Sequence, residues 1–436
     1  MNHTTTGLLA GAARADITPQ VGTLLFGYNP HQESTSVHDP LDVTVLALSE
    51  NGTTVLMITA TVGCFQTALS EELRETVGQA VGIPTSRVIL SATHTHSAPN
   101  TAGMEGWGAV DRAYVDSILL PGMLDAAKRA VDAMVPAEYA VGETESHVGI
   151  NRREQTPDGE IRLGQNPWGC CDPTMTCIAI RAKEDGRGIL NLIHYGCHGT
   201  AAGCNREISR DWAGVMTDMM TRSTGTLTAF WNGAEGDVGP RLTNGQTTGD
   251  ITHVEQLGGV AAADAYRAWR ACGTYRADGL RIAEGTVSIP YKQLPSLAEV
   301  QQILASYQNP EALYNLGRLT YAYWKAAEEL LLSGGTGPAV FTFRQTLVVL
   351  GDIVFIPFPF EMFSEITLRL RAYAPYRYVL SLSNTNGCNV YLPTEDQLVR
   401  GGYEIGCFRY GSVYSMVDCA DQHIINENLR ILADLK

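Results

Sequence analysis

Positive charge is in short supply in this sequence. Lys and Arg number 31 against 46 Asp and Glu, leaving a formal net charge of −15. That sign repels polyphosphate and anionic lipid, so neither nucleic acid nor a membrane surface is expected as a partner. Long apolar runs are missing as well. A membrane-spanning helix needs about 18 apolar residues, whereas the most hydrophobic stretches, 54–60 and 347–360, are interrupted at strand-like lengths. The opening residues carry neither a basic start nor an apolar core of about 7–15 residues, so no secretory signal is read and a cytoplasmic location is expected. Internal repeats, charge blocks and Pro/Gly/Ser-rich linkers are absent, which excludes solenoids and gives no place to divide the chain. What is present is ordinary globular composition: 436 residues, 44% hydrophobic and 18% charged, enough for a large core. The 10 cysteines are scattered, and without a signal they read as buried thiols rather than a disulfide framework.

Apolar, β-branched runs at 42–48 and 53–60 flank Glu50-Asn51-Gly52, and Asn-Gly between such runs predicts an antiparallel hairpin. A helix is expected over 70–82 with Ser70 as its cap, followed by a short buried strand at 87–92. A long amphipathic helix over 112–134 should kink or break at Pro121, which cannot donate a backbone hydrogen bond. Further helices fit 213–222, 256–271, 296–306, 310–332 and 361–372. Strands fit 189–193, 227–231, 280–289 and a hairpin of 340–349 with 353–358. This order mixes hairpins with βα units. It predicts one large α/β or α+β catalytic domain over 1–436, with mixed β-sheets surrounded by helices and a helical insertion at 295–335.

Three places along the chain concentrate chemistry. Ser91-Ala-Thr-His94-Thr-His96-Ser-Ala-Pro99 sets two histidines at the end of a predicted strand, and in extended backbone that spacing points both imidazoles to one side. His-x-His is common zinc-ligand spacing and strand ends are where open sheets bind ligands, although two histidines satisfying a loop are the plainer alternative. His194-Tyr-Gly-Cys197-His198-Gly-Thr200 follows another apolar strand. There His198 is the better ligand candidate, His194 reads as a packed histidine, and a nucleophilic Cys197 competes with inert burial. Glu361 in Phe358-Pro-Phe-Glu361-Met-Phe is a lone carboxylate after a wholly apolar strand. It needs a metal cation or arginine as partner, unless it merely occupies the first turn of the next helix. Asp211, Glu235 and Asp237 stand on loops in comparable positions.

Together these blocks resemble the neutral/alkaline ceramidase family, zinc-dependent amidases that cleave the N-acyl bond of ceramide. Ala13-Arg-Ala-Asp-Ile-Thr-Pro19 with Phe26-Gly-Tyr28 is similar to the family's opening, and Ser91–Pro99 to its Ser-x-x-His-Thr-His-Ser-x-Pro signature. Asn151-Arg152, His198-Gly-Thr, Glu235-Gly-Asp-Val, Pro359-Phe-Glu361 and the stretch from Tyr391 to Tyr403-Glu404 match later elements. The resemblance spans roughly residues 11–410. It implies zinc held by His94, His198, Glu361 and Tyr391, the first assigned over His96 by motif position. It also implies His96, Arg152 and Tyr403 around the scissile carbonyl, serving proton transfer and oxyanion stabilisation.

One departure matters for mechanism. Where the family has Gly-Asp-Val-Ser-Pro, this sequence has Gly236-Asp-Val-Gly239-Pro, so a covalent acyl-serine route is closed there and zinc-activated water is favoured. The sequence also stops at Lys436, short of the family's C-terminal β-domain. The expectation is therefore hydrolysis of a C–N bond in a small soluble amide. An ester or lactone hydrolase and a true ceramidase remain alternatives. So do a non-catalytic binding protein and a cysteine hydrolase built on Cys197 or Cys204 with His194. Assembly as a homo-oligomer is compatible with this composition.

Overall fold

Side chains along the strand Asp42–Glu50 alternate between two cores: Val43, Val45 and Ala47 pack on one side, Leu46 and Leu48 on the other. Such a strand is covered on both faces, and the same alternation recurs in Val340–Leu350, where Val348 and Leu350 oppose Leu347 and Val349. The result is four layers, helix on sheet on sheet on helix, an α/β architecture with mixed sheets. The computed structural model describes residues 7–435 apart from 105–106, 278, 314 and 413.

The larger sheet has eight strands in the order Thr228–Asn232, Gly188–Tyr195, Thr174–Ala182, Val135–Glu145, Leu9–Asp16, Asp42–Glu50, Thr53–Ala60, Val88–Ala92. Both edge pairs are parallel, and the helices Thr67–Val81 and Asp211–Thr224 make the crossovers. The interior neighbours are antiparallel. The sheet curls until its edges meet: Thr59 Oγ1 donates to Phe230 O (2.7 Å), and Asn232 Nδ2 donates to Thr93 O (3.1 Å) and Cys197 O (3.2 Å). This closure brings the loops leaving three strands to one point.

The second sheet runs Leu280–Pro290, Val340–Leu350, Ile353–Pro357, Tyr378–Leu382. Leu350, Ile353, Phe355 and Leu380 pack against Leu46, Leu48 and Met57 of the larger sheet. Its outer face is covered by helices that include Ser364–Tyr373 and Ala420–Ala433.

Several expected elements differ in their ends. The first helix starts at Thr67, not Ser70, whose buried hydroxyl caps nothing. The long helix is interrupted by a π-turn, Val115–Leu119, before resuming at Leu120–Asp132 around Pro121, whose missing N–H leaves the carbonyl one turn back without its donor. Glu361 does not begin a helix: Glu361–Met362 is a short strand and the helix starts at Ser364. Within the stretch expected as one helix over 310–332, a short 3₁₀ turn, Pro310–Ala312, precedes Asn315–Leu332, and residue 314 lies outside the described residues.

Candidate active site

Where the strand Val88–Ala92 ends, Thr93 N and His94 N still donate to Ala60 O (3.0 Å) and Val62 O (3.0 Å), but His94 itself turns left-handed at φ 68°. That conformation costs a side-chain-bearing residue about 1–3 kcal/mol and persists because neighbours hold it. Thr95 bridges to Gly199, and His96 N donates to Gly199 O (3.1 Å). A Cβ at Gly199 would lie 2.7 Å from His94 O, so only glycine lets the two histidine segments approach this closely. The two imidazoles of His94-x-His96 therefore converge through a turn, not through the strand alternation expected for extended backbone.

Each of two imidazoles is oriented from behind by a carbonyl. His94 Nδ1 donates to Gly63 O (2.8 Å) and His198 Nδ1 to Glu235 O (2.7 Å), which turns both Nε2 atoms toward the site. Both face Glu361: its Oε2 is 3.0 Å from His198 Nε2 and 3.4 Å from His94 Nε2. The strand Glu361–Met362 pairs in parallel with Tyr391–Leu392, placing Tyr391 directly beside Glu361. The Tyr391 ring stacks on His198 at 6.4 Å and 14°, and Arg152 Nη2 donates to its hydroxyl at 3.0 Å.

The electrostatics are those of a buried anion among nitrogen donors. Burial alone would raise the Glu361 carboxyl, but His94 and His198 outweigh it and hold it well below the ordinary carboxylate range. His94 moves the other way: burial disfavours its charge, yet Glu361 lifts it to about 9. His198, buried and facing Arg152, falls to about 4.

His94, His198 and Glu361 form a buried group whose donor atoms lie within 4.8 Å of one another. Donors about 2.0–2.2 Å from a common tetrahedral centre stand a little over 3 Å apart, so this spacing suits a metal ion. Two imidazoles with a carboxylate, and a phenol alongside, form a donor set that zinc accepts, with the metal displacing the His94 Nε2 proton when it binds. His96 Nε2 is 3.3 Å from His94 Nε2 but falls outside that group. Its ring lies against Phe26 and Tyr28, and burial followed by the nearby His94 keeps it well below the usual histidine value, hence neutral.

A cavity of about 340 Å³ opens over the cluster. Its lining includes His94, His96, Glu361, Tyr391 and Tyr403, with Phe26, Met104, Trp107, Leu319 and Val390 supplying apolar walls. Arg152 does not line it. The guanidinium sits behind Tyr391 with Nε on Glu404 Oε1 at 2.8 Å. The carboxylates of Asp211, Glu235 and Asp237 are also engaged elsewhere. Asp211 accepts from the Ala201, Ala202 and Trp212 amides, Asp237 from Ser364 and Asn151, and Glu235 from Asn384. Gly239 forms part of Val238–Pro240, and a Cβ there would meet Thr247 Cβ at 2.7 Å.

His194 is packed and its Nε2 donates to Ser381 O (2.8 Å), so that nitrogen is already committed. Cys197 is wholly buried and its thiol is pushed well above the ordinary value by that burial, while Cys204 is exposed. Sequence reasoning passed over Glu404 except as part of a motif, and it passed over Trp107 and Leu319. The last two carry no polar signal, and only tertiary packing brings them to the cavity.

The curled sheet and the second sheet frame a cavity over a buried His/His/Glu group that could hold a metal ion. A family model described as neutral/alkaline non-lysosomal ceramidase, N-terminal, matches residues 8–283, and the chain belongs to that family. Membership makes it a hydrolase. The fold is shared with the crystal structure of neutral ceramidase from Pseudomonas aeruginosa, at TM-score 0.76 and 17% identity over 98% of this chain and 75% of that one. A ceramidase complexed with C2 is similar at TM-score 0.76 and 16% identity, covering 99% and 75%. No curated protein matches the chain. Among the described residues no helix is long and apolar enough to cross a membrane.

Proposed function

We propose that this chain is a zinc-dependent amidohydrolase that cleaves the C–N bond of a small N-acyl substrate. The observation that carries the reading is the buried His94–His198–Glu361 group at the foot of a cavity in a ceramidase-family chain. His94, His198, Glu361 and Tyr391 are the residues that would hold zinc. Zinc bound there supplies Lewis-acid polarisation of the carbonyl and a lowered pKa for water.

The chain's own residues do the rest. Gly63 O and Glu235 O fix the tautomers of the two histidines, so each Nε2 is aimed without reorganisation. Neutral His96, on the cavity side of the cluster, takes up and returns the proton. Tyr403 offers its hydroxyl toward the reacting carbonyl, and its ring packs 5.9 Å from that of Tyr391. Arg152 acts at one remove, holding the Tyr391 oxygen. The walls of Phe26, Met104, Trp107 and Leu319 receive an acyl chain and exclude water.

A volume of about 340 Å³ is at the low end of the roughly 300–1,000 Å³ of ligand pockets, which favours a small substrate. The apolar walls and the family favour a lipid amide such as ceramide as the second reading, with esters and lactones able to use the same groups. Residues 1–436 act as one catalytic unit in this account, with 295–335 inserted and contributing Leu319 to the cavity, and the protein works in the cytoplasm. A panel of N-acyl compounds of increasing acyl length, with matched esters, tests the reading. Fastest turnover on short N-acyl amides supports it, and turnover confined to long-chain ceramides would replace it with the second.

A further inference from the structure

Glu404 is a fully enclosed charge near the candidate metal centre that the proposed reaction does not use. It opens the helix Tyr403–Tyr410, and its side chain is 1% exposed. Two consecutive arginines close on it: Arg152 Nε meets Oε1 at 2.8 Å and Arg153 Nη1 meets Oε2 at 2.7 Å. Arg153 is anchored in turn on Gly401 O (2.7 Å) and Gln397 Oε1 (3.3 Å), with its guanidinium 5.4 Å from the Phe363 ring centroid. The far side of Arg152 donates to the Tyr391 hydroxyl at 3.0 Å.

The plain alternative is that Glu404 only balances charge. A first-turn carboxylate also interacts favourably with the helix N-terminus. Neither role requires both oxygens to be committed to different guanidinium groups. Two cations and one anion leave this triad one positive charge in excess, and Arg152 Nη2 directs a donor at the Tyr391 hydroxyl. A planar guanidinium held at Nε has its Nη2 direction fixed, so the carboxylate sets where that donor points.

We infer that Glu404 is a positioning residue. It braces Arg152 against the Arg153 anchor so that the Tyr391 oxygen is held at the metal centre, an inference that rests on the proposed metal-ligand set. Outer partners of this kind typically change metal affinity or activity by about 10–100-fold.

The test is a double-mutant cycle in zinc affinity, measured on the full-length protein by competition with a chromophoric chelator. Glu404→Gln alone leaves two neighbouring buried guanidinium groups unopposed and risks misfolding. The paired change Glu404→Gln with Arg153→Gln keeps the excess charge at one and is the working variant. In a Tyr391 background it should weaken zinc binding by about 10–100-fold. In a Tyr391→Phe background the same change should cost less than about twofold, because the group it positions is gone. Equal losses in both backgrounds would make Glu404 a structural counter-ion and overturn the inference, as would undiminished affinity in the first. A wild-type protein without zinc, or Tyr391→Phe with full affinity, would instead overturn the ligand assignment beneath it.

Discussion

Glu361 and Tyr391 stand opposite each other in a parallel bridge of two residues per strand, so both side chains reach His198, and Glu361 reaches His94 as well. The bridge also removes the simplest alternative for Glu361, a carboxylate resting in the first turn of a helix. That role would cost only about 0.3–1 kcal/mol to lose and would leave metal binding untouched. The proposed role predicts that Glu361→Gln and His198→Ala fold but weaken zinc binding by more than the roughly 100-fold typical of outer-shell changes. Elemental analysis after gel filtration checks this. Full zinc occupancy in either variant would exclude that residue as a ligand.

Gly239 carries a separate prediction. A Cβ at this position would sit 2.7 Å from Thr247 Cβ and 2.8 Å from its Cγ2. Restoring the family's serine with Gly239→Ser should destabilise by about 1–3 kcal/mol, the range for overpacking. Adding Thr247→Ala should recover much of that loss in a thermal melt. Neither variant should gain turnover, and rapid quenching of the wild type should trap no acyl adduct. A mass shift equal to the acyl group would contradict the water route.

The cysteines supply a third. Cys197→Ala and Cys204→Ser should retain turnover, because one thiol is buried and inert and His194 is committed to Ser381. Loss of more than about a hundredfold in kcat, without loss of folding, would revive cysteine catalysis.

Glu235 predicts a pH effect. Burial raises its carboxyl from 4.5 to about 8, and Oε2 has no partner. The unfolded chain sheds this proton first, so the folded state loses stability from this group as pH climbs from 4.5 through about 8. Glu235→Gln cannot ionise. In chelator-treated protein its melting temperature relative to wild type should therefore rise across that window and level off above it. A constant difference from pH 5 to about 9 would show that the carboxyl titrates normally.

Part of this architecture was legible in the residues and part was not, for local reasons. Asn51-Gly52 announced its hairpin because both positions take positive φ, 50° and 79°, as a two-residue turn demands. The strands Val135–Glu145 and Thr174–Ala182 gave no such signal, although both lie in the interior of the larger sheet. Val135–Glu145 contains Pro136, Ala137, Ala140 and Gly142, poor strand formers, and Gly142 is needed because a Cβ there would lie 2.1 Å from Ala268 O of the covering helix. In the site, His94-x-His96 was visible as spacing, but the left-handed turn at His94 depends on Gly199 from another strand end. The Arg152–Glu404–Arg153 brace joins segments that no local pattern connects.

The central claim, metal-dependent amide hydrolysis at the His94–His198–Glu361 group, is tested most directly by zinc stoichiometry and turnover of an N-acyl amide in one preparation. Both are measured as purified, after exhaustive chelation, and after zinc is returned. One zinc per chain is expected, with turnover lost along with the metal and recovered on its return. Undiminished hydrolysis by the zinc-free protein would contradict the claim.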